Sequence, residues 1–249
     1  MRYRGLIVNR DGAERRVVQR RAPDEMATTI PFLQIGAELD VERLATFLLK
    51  KSSIKNSLII GIDGPGASGK STLAISLADV LGNASVVHGD DFYLPSSLRP
   101  TTNFGVGDQY DLARLLGEVV QPHAEYRDIC FQRYDWDRDR LDGWTEVPAN
   151  NHLVVEGTYS TEARLRDLYT YRIFCDANKS LRLARGLQRD GEDARFRWLD
   201  EWMPAENQYF MAQQPAAHAH LVLDSSVTDP NHPRYMVIGG PQTAFDERC

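Results

Sequence analysis

Long apolar runs, cysteine and lysine are all scarce in this chain of 249 residues. No uninterrupted apolar stretch approaches the ~18 residues of a membrane span. The start, Met1-Arg2-Tyr3-Arg4-Gly5, lacks the apolar core of a signal peptide. A cytoplasmic protein without a membrane partner is therefore expected. Three cysteines, Cys130, Cys175 and Cys249, form an odd set with no CxxC pair, which points to neither a disulfide scaffold nor a zinc knuckle. Only five of the 29 cationic residues are lysine, and residues 58–249 hold 18 Lys+Arg against 28 Asp+Glu. That acidic body is a poor match for nucleic acid, whose affinity comes from neutralising phosphates with clustered cations. The oligomeric state stays open, a homo-oligomer included. What is present is an ordinary globular composition, 42% hydrophobic and 26% charged, in a chain long enough to bury about 73% of its unfolded surface.

Along the chain, RYRGLIV and ERRVVQ flank an Asp11-Gly12 step, the pattern of a hairpin. Arg15, Arg16, Arg20 and Arg21 read as its solvated face. Behind Asp40 as N-cap, Val41, Leu44, Phe47 and Leu48 fall at helical spacing. The run SLIIGID at residues 57–63 is nearly all apolar, as a strand buried on both faces of a parallel sheet requires. Similar runs recur at 85–88, 152–155, 171–175 and 220–223, alternating with helical patterns at 70–81, 110–120, 161–168, 178–190 and 195–213, the last interrupted near Pro204. The alternation predicts a doubly wound α/β layer sandwich. Three segments result: a hairpin-plus-helix extension over 1–56, a core over 57–226 and an irregular, Pro- and Gly-rich tail over 227–249. His218 and His220, at strand spacing with no third ligand in view, read as a satisfied pair rather than a metal site.

Gly64-Pro65-Gly66-Ala67-Ser68-Gly69-Lys70-Ser71 satisfies GxxxxGK[ST] directly after a predicted strand and directly before a predicted helix. Small residues let successive backbone N–H groups converge on a phosphate, and the helix beginning near Lys70 turns its positive end to the same anion. Lys70 adds a mobile charge and Ser71 a hydroxyl for Mg2+; Thr72 follows as helix packing or a secondary polar contact. Glu156 ends the apolar run HLVV, so its carboxylate should emerge at the carboxyl edge of the sheet, where ligands of open α/β sheets bind and where it can serve a metal. Asp90, in His88-Gly89-Asp90-Asp91-Phe92-Tyr93, should emerge at the same edge and can act as a base toward an alcohol. Asp63 reads first as a brace for the loop, and His88 as packing.

The ordered segments GIDGPGASGKSTLA, GDDFYLP, NFGVGDQYD, RYDW, VVEG and RLARGLQRD, over roughly residues 57–226, resemble the uridine kinase and phosphoribulokinase-type branch of P-loop kinases. The resemblance implies a P-loop NTPase-type three-layer sandwich with a five-stranded parallel core, ATP and Mg2+ as co-substrates, and γ-phosphate transfer to a hydroxyl of a small metabolite, a nucleoside in the uridine kinases. It also implies roles: Asp90 as catalytic aspartate, Tyr93 as its neighbouring substrate contact, Glu156 with Ser71 at the metal, and Arg185 and Arg189 as a lid over the phosphates, with Arg182 on the same helical face. Two departures stand out. Gly105 follows Asn103-Phe104 where uridine kinases carry a ribose-binding aspartate, which leaves Asp108 to supply a hydroxyl contact. An acid near Asp137 or Asp139 replaces a base-reading histidine. Tyr134 and Trp136 remain as pocket aromatics. Beside a nucleoside kinase, the sequence leaves open a kinase for a sugar, a sugar phosphate or pantothenate, and, in another class, an ATP-binding regulator that uses its phosphate loop as a switch.

Overall fold

The computed structural model describes residues 34–51, 57–101, 105–226 and 234–240. The hairpin expected near residues 2–19 lies outside them. Five strands run parallel: β2 (Ile59–Asp63), β3 (Ala84–His88), β6 (His152–Glu156), β7 (Tyr171–Asp176) and β8 (Leu221–Asp224). Their order across the sheet is β3-β6-β2-β7-β8, with the strand before the phosphate loop in the centre. Two further strands extend it antiparallel beyond β8, first β9 (Arg234–Gly239) and then β1 (Glu38–Asp40). The irregular reading of the tail is corrected at β9: the alternation Tyr235 in, Met236 out, Val237 in was hidden between Pro233 and Gly239-Gly240, whose turn chemistry dominates the sequence pattern.

The pleat divides the sheet's side chains between two cores. On one face, Ile60, Ile62, Val154, Ile173 and Leu223 meet Leu44, Phe47 and Leu48 of α1 (Val41–Lys51) and Leu73, Ala74 and Leu77 of α2 (Lys70–Leu81). On the other, Ile59, Leu153 and Val155 meet Phe92, Leu115, Phe131 and Tyr209. Each of these large side chains contributes about 1.5–3 kcal/mol on full burial. The second face is roofed by α3 (Leu112–Arg114) and α4 (Gln121–Ala124), joined by a π-wound turn over Leu115–Val120, and by a hairpin of β4 (Ile129–Asp135) with β5 (Arg140–Val147). After α5 (Lys179–Asp190) a second π-wound turn, Arg197–Trp202, leads into α6 (Met203–Gln213). Pro204 does not break the helical path, but it lies where the π-wound turn Arg197–Trp202 passes into α6, so the winding changes where the sequence pattern places an interruption. The helix expected over 161–168 is turns with a single 3-10 turn, Arg166–Leu168, because Thr161 is drawn inward to Asp63 and the Ala163 amide to Gln213.

Two histidines serve as acceptors where parallel strands begin. His152 Nδ1 accepts from the Leu58 amide and His220 Nδ1 from the Arg172 amide, both at 3.0 Å. His218, at the end of α7 (Pro215–His218), is exposed and forms no pair with it. Burial and then the Arg172 guanidinium push His220 down to about 4, and burial lowers His152. Below about pH 6.5 the unfolded chain therefore takes up a proton that folded His220 refuses, so its contribution is present above 6.5 and lost as pH falls toward 4. The full shift corresponds to about 3 kcal/mol, which solvent screening of the half-buried ring reduces to about 1–2 kcal/mol. His220→Asn, which keeps an acceptor for Arg172, is expected to flatten the acid limb of a plot of Tm against pH. An identical limb in both proteins would show that His220 does not carry it.

Candidate active site

The turn from β2 into α2 is shaped by glycine. A Cβ on Gly64, whose φ is +143°, would lie 2.0 Å from the Cys175 carbonyl oxygen, so no side chain is admitted there. Gly69, at φ +90°, stands at the N-cap of α2 without any side-chain cap, which leaves the first amides of the helix facing the cleft. Asp63 is fully buried and braces the loop from behind. Its Oδ1 accepts from the Gly64 amide at 2.6 Å, and its Oδ2 accepts from the Thr161 amide, the Thr161 hydroxyl and the Tyr209 hydroxyl, each at 2.8 Å. Burial raises its pKa and these donors oppose the rise. Inside the loop the Lys70 ammonium donates to the Pro65 carbonyl at 2.8 Å, while the Ser68 hydroxyl is buried with no partner among the described residues. Uncapped amides, an ammonium and an orphaned hydroxyl in a glycine cradle fit a polyphosphate.

The loop forms one wall of a cleft of about 1020 Å³. Gly66, Ala67, Ser68, Gly69, Lys70, Ser71 and Thr72 all line it, whereas Gly64 and Pro65 shape the loop from outside the lining. On its floor Glu156 Oε1 accepts from Ser71 Oγ at 3.1 Å and lies 2.6 Å from His88 Nδ1. Burial would raise the Glu156 pKa, but the His88 and Ser71 hydrogen bonds and the Lys70 charge outweigh it and hold the carboxyl below its ordinary value. His88 is raised in return, first by that hydrogen bond; it is a partner of Glu156 rather than packing. Ser71 and Glu156 are suited to Mg2+ as two oxygen donors beside phosphate and water. Among the described residues no group of three or more His, Cys, Asp or Glu could hold a metal alone.

Asp90 faces this floor from the 3-10 turn Gly89–Phe92 that follows β3. Its side chain opens to the cleft, yet the protein packed around it raises its pKa, through loss of surrounding water first and the Glu156 charge second, against Lys70 and Arg189. The Tyr110 hydroxyl approaches it at 3.4 Å. Beyond Asp90 the wall is aromatic: Trp136 stacks on Tyr93 at 4.8 Å, and Tyr110 meets Tyr93 edge-on at 4.9 Å. Tyr134 is behind this wall, outside the cleft, with its hydroxyl 2.6 Å from Asp139 and 2.7 Å from Arg99. Asp139 is thereby spent, held down to about 2 by hydrogen bonds from Ser96 and Tyr134, and Asp137 is the acid of this turn that reaches the cleft. Asp108 also lies outside the cleft; it accepts from the Gly105 amide at 2.6 Å, closing its own turn, so the hydroxyl contact expected of it is not formed by this geometry. Arg185 and Arg189 both line the cleft from α5, the first bonded to the Ser225 carbonyl at 3.2 Å, the second to Asp190 at 2.7 Å. Arg182 is a buried brace instead, donating to the Gly66 carbonyl and to Glu206, each at 3.4 Å.

Sequence reasoning passed over several lining residues. Thr158 and Tyr159 lie two and three residues past Glu156, at the same carboxyl edge of the sheet. Ser225, one residue past β8, lies there too. Glu206, whose Oε1 accepts from the Gly66 amide at 2.7 Å, and Trp198 and Trp202 on the segment after α5 carry no mark of their own.

Comparison with known proteins agrees with this geometry. Residues 107–235 match the model of the Phosphoribulokinase / Uridine kinase family. Among curated proteins, the uridine kinase of Latilactobacillus sakei is 30% identical over 178 residues, 68% of this chain and 82% of that one. The uridine kinase of Lactococcus lactis subsp. cremoris is 29% identical over 177 residues, 68% of this chain and 84% of that one. In fold, a structure described as a possible uridine kinase from Bacillus stearothermophilus matches with a TM-score of 0.57 at 21% identity, covering 73% of this chain and 96% of its own. A glycine cradle on the central strand, two acidic side chains at the neighbouring strand ends and these matches lead to one statement: the chain belongs to the phosphoribulokinase/uridine kinase family.

Proposed function

We propose that this protein is an ATP- and Mg2+-dependent kinase that phosphorylates a hydroxyl of a small metabolite, with a nucleoside as the first acceptor class. The observation that carries the reading is that the phosphate cradle and Asp90 face each other across one cleft whose floor is the Ser71–Glu156 pair. ATP, when bound, supplies the γ-phosphoryl group, and Mg2+ supplies charge neutralisation on its oxygens. Ser71 and Glu156 would hold the metal. Lys70, Arg185 and Arg189 present positive charge where negative charge develops on the transferred group. Asp90 accepts the proton of the acceptor hydroxyl, and its raised pKa makes it a better base near neutral pH than an ordinary aspartate. Trp136 and Tyr93 offer a flat aromatic face for a ring, and the uridine kinase relatives support a nucleoside there.

One observation favours a second acceptor class. Neither Gly105 nor Asp108 presents a carboxylate to the cleft, so the contact made to ribose in uridine kinases has no counterpart at these positions, and a sugar, sugar phosphate or pantothenate competes with the nucleoside. Acceptor-dependent ADP formation across uridine, cytidine, hexoses, sugar phosphates and pantothenate decides between them. Turnover with at least one alcohol is expected. ATP binding without acceptor-dependent turnover on any would favour the regulator reading.

A further inference from the structure

We propose that Tyr235, carried by the antiparallel strand β9, is a binding contact for the nucleoside end of the donor nucleotide. This rests on the kinase reading above and adds a residue to it. The strand order supplies the direction. Asp90 follows β3 and Glu156 ends β6, both on one side of the central β2 whose loop holds the phosphates. A triphosphate lying across that loop with its transferable end toward Asp90 must leave on the opposite side, toward β7 and β8. The cleft is walled on that side by Ser225, Arg185 and Tyr235.

There the structure shows a polar group with nothing to bond. Tyr235 is 2% exposed, lines the cleft, and its hydroxyl has no hydrogen-bond partner among the described residues. Its neighbours are already engaged: the Ser225 hydroxyl donates to the Ser68 carbonyl, and the Arg185 guanidinium donates to the Ser225 carbonyl at 3.2 Å. Tyr235 is held in place by its own strand, opposite Leu39 in β1, with Met236 opposite Asp224 in β8. The ring is packed in the core beside Leu39 and Val237, and the enclosed hydroxyl is the one polar group of this side chain that a ligand could satisfy. A buried hydroxyl left unsatisfied is costly, and a ligand that satisfies it recovers a hydrogen bond. A base edge or a ribose hydroxyl can both donate to it and accept from it.

Calorimetric binding to the full chain tests this, using ATP and inorganic tripolyphosphate as probes against the unaltered protein, Tyr235→Phe and Tyr235→Met. The substitutions remove a hydroxyl that bonds to nothing among the described residues, so Tm for the Phe variant should stay within about 2 °C of the parent. ATP affinity should fall about three- to tenfold in both variants while tripolyphosphate affinity stays unchanged. Equal ATP affinity in all three proteins, or a parallel loss for tripolyphosphate, would overturn the assignment. Failure of the parent to bind ATP at all would instead remove the kinase reading beneath it.

Discussion

Replacing Asp90 by Asn is expected to lower kcat on the best acceptor by about 10²–10⁴, the range a positioned general base supplies, with Tm nearly unchanged. The two halves of the expectation come from different contacts. Asp90 carries little structural load: among the described residues its side chain has one hydrogen bond, from Tyr110, long at 3.4 Å, and the Asp90 backbone carbonyl accepts from the Tyr93 amide whatever the side chain. A substitution of that kind usually changes stability by less than about 0.5 kcal/mol. Its chemical load is large, because the loss of surrounding water in the cleft and the Glu156 charge raise its proton affinity while Lys70 and Arg189 keep the carboxylate form accessible. The same shift sets the sign of a pH profile. Activity needs the deprotonated carboxyl, so kcat/KM in the parent should fall as pH drops through a value above the ordinary aspartate range, and this limb should be missing from the residual activity of the Asn variant. Acceptor-dependent rates equal to those of the parent would take Asp90 out of the reaction.

The parts of this site legible in the sequence are those in which local spacing and three-dimensional position coincide. GxxxxGK[ST] is contiguous, and its glycines are demanded by backbone closeness that no other residue tolerates, as at Gly64 against Cys175. Asp90 and Glu156 were legible for another reason: a carboxylate at the end of an apolar run in a parallel sheet can emerge only at the carboxyl edge. The five parallel strands followed from the same runs. What was hidden depended on partners distant in sequence. Asp108 looked free for a ligand, yet its carboxylate is spent on an amide three residues back. Tyr134 and Trp136, two residues apart on a strand that bends into a turn, diverge, one into the cleft wall and the other behind it. Arg182 and Arg185 share a helical face by spacing, but Glu206, 24 residues on, draws the first into a buried pair. Strand β9 was concealed because it is an edge addition flanked by turn residues.

Asp63→Asn is expected to cost about 3 kcal/mol, a fall in Tm of roughly 6–12 °C for a chain of this size, and to weaken ATP binding with it. The carboxylate is fully buried and surrounded by four donors, one on Oδ1 and three on Oδ2. An amide has one accepting atom where the carboxylate has two. If its oxygen takes the Oδ2 place, the NH2 meets the Gly64 amide across a gap that was 2.6 Å; if it takes the Oδ1 place, the NH2 meets the Thr161 amide, which cannot turn to accept. Either way a buried backbone N–H of the loop or of its support loses its partner, and the Thr161 and Tyr209 hydroxyls cannot compensate both. The loss reaches function because the Gly64 amide opens the phosphate cradle and Tyr209 lies on α6, the helix that also sends Glu206 to the Gly66 amide. Stability and nucleotide affinity are thus expected to fall together, whereas Asp90→Asn lowers kcat alone. An Asp63→Asn protein with a Tm within about 2 °C of the parent would show that the four hydrogen bonds do not brace the loop.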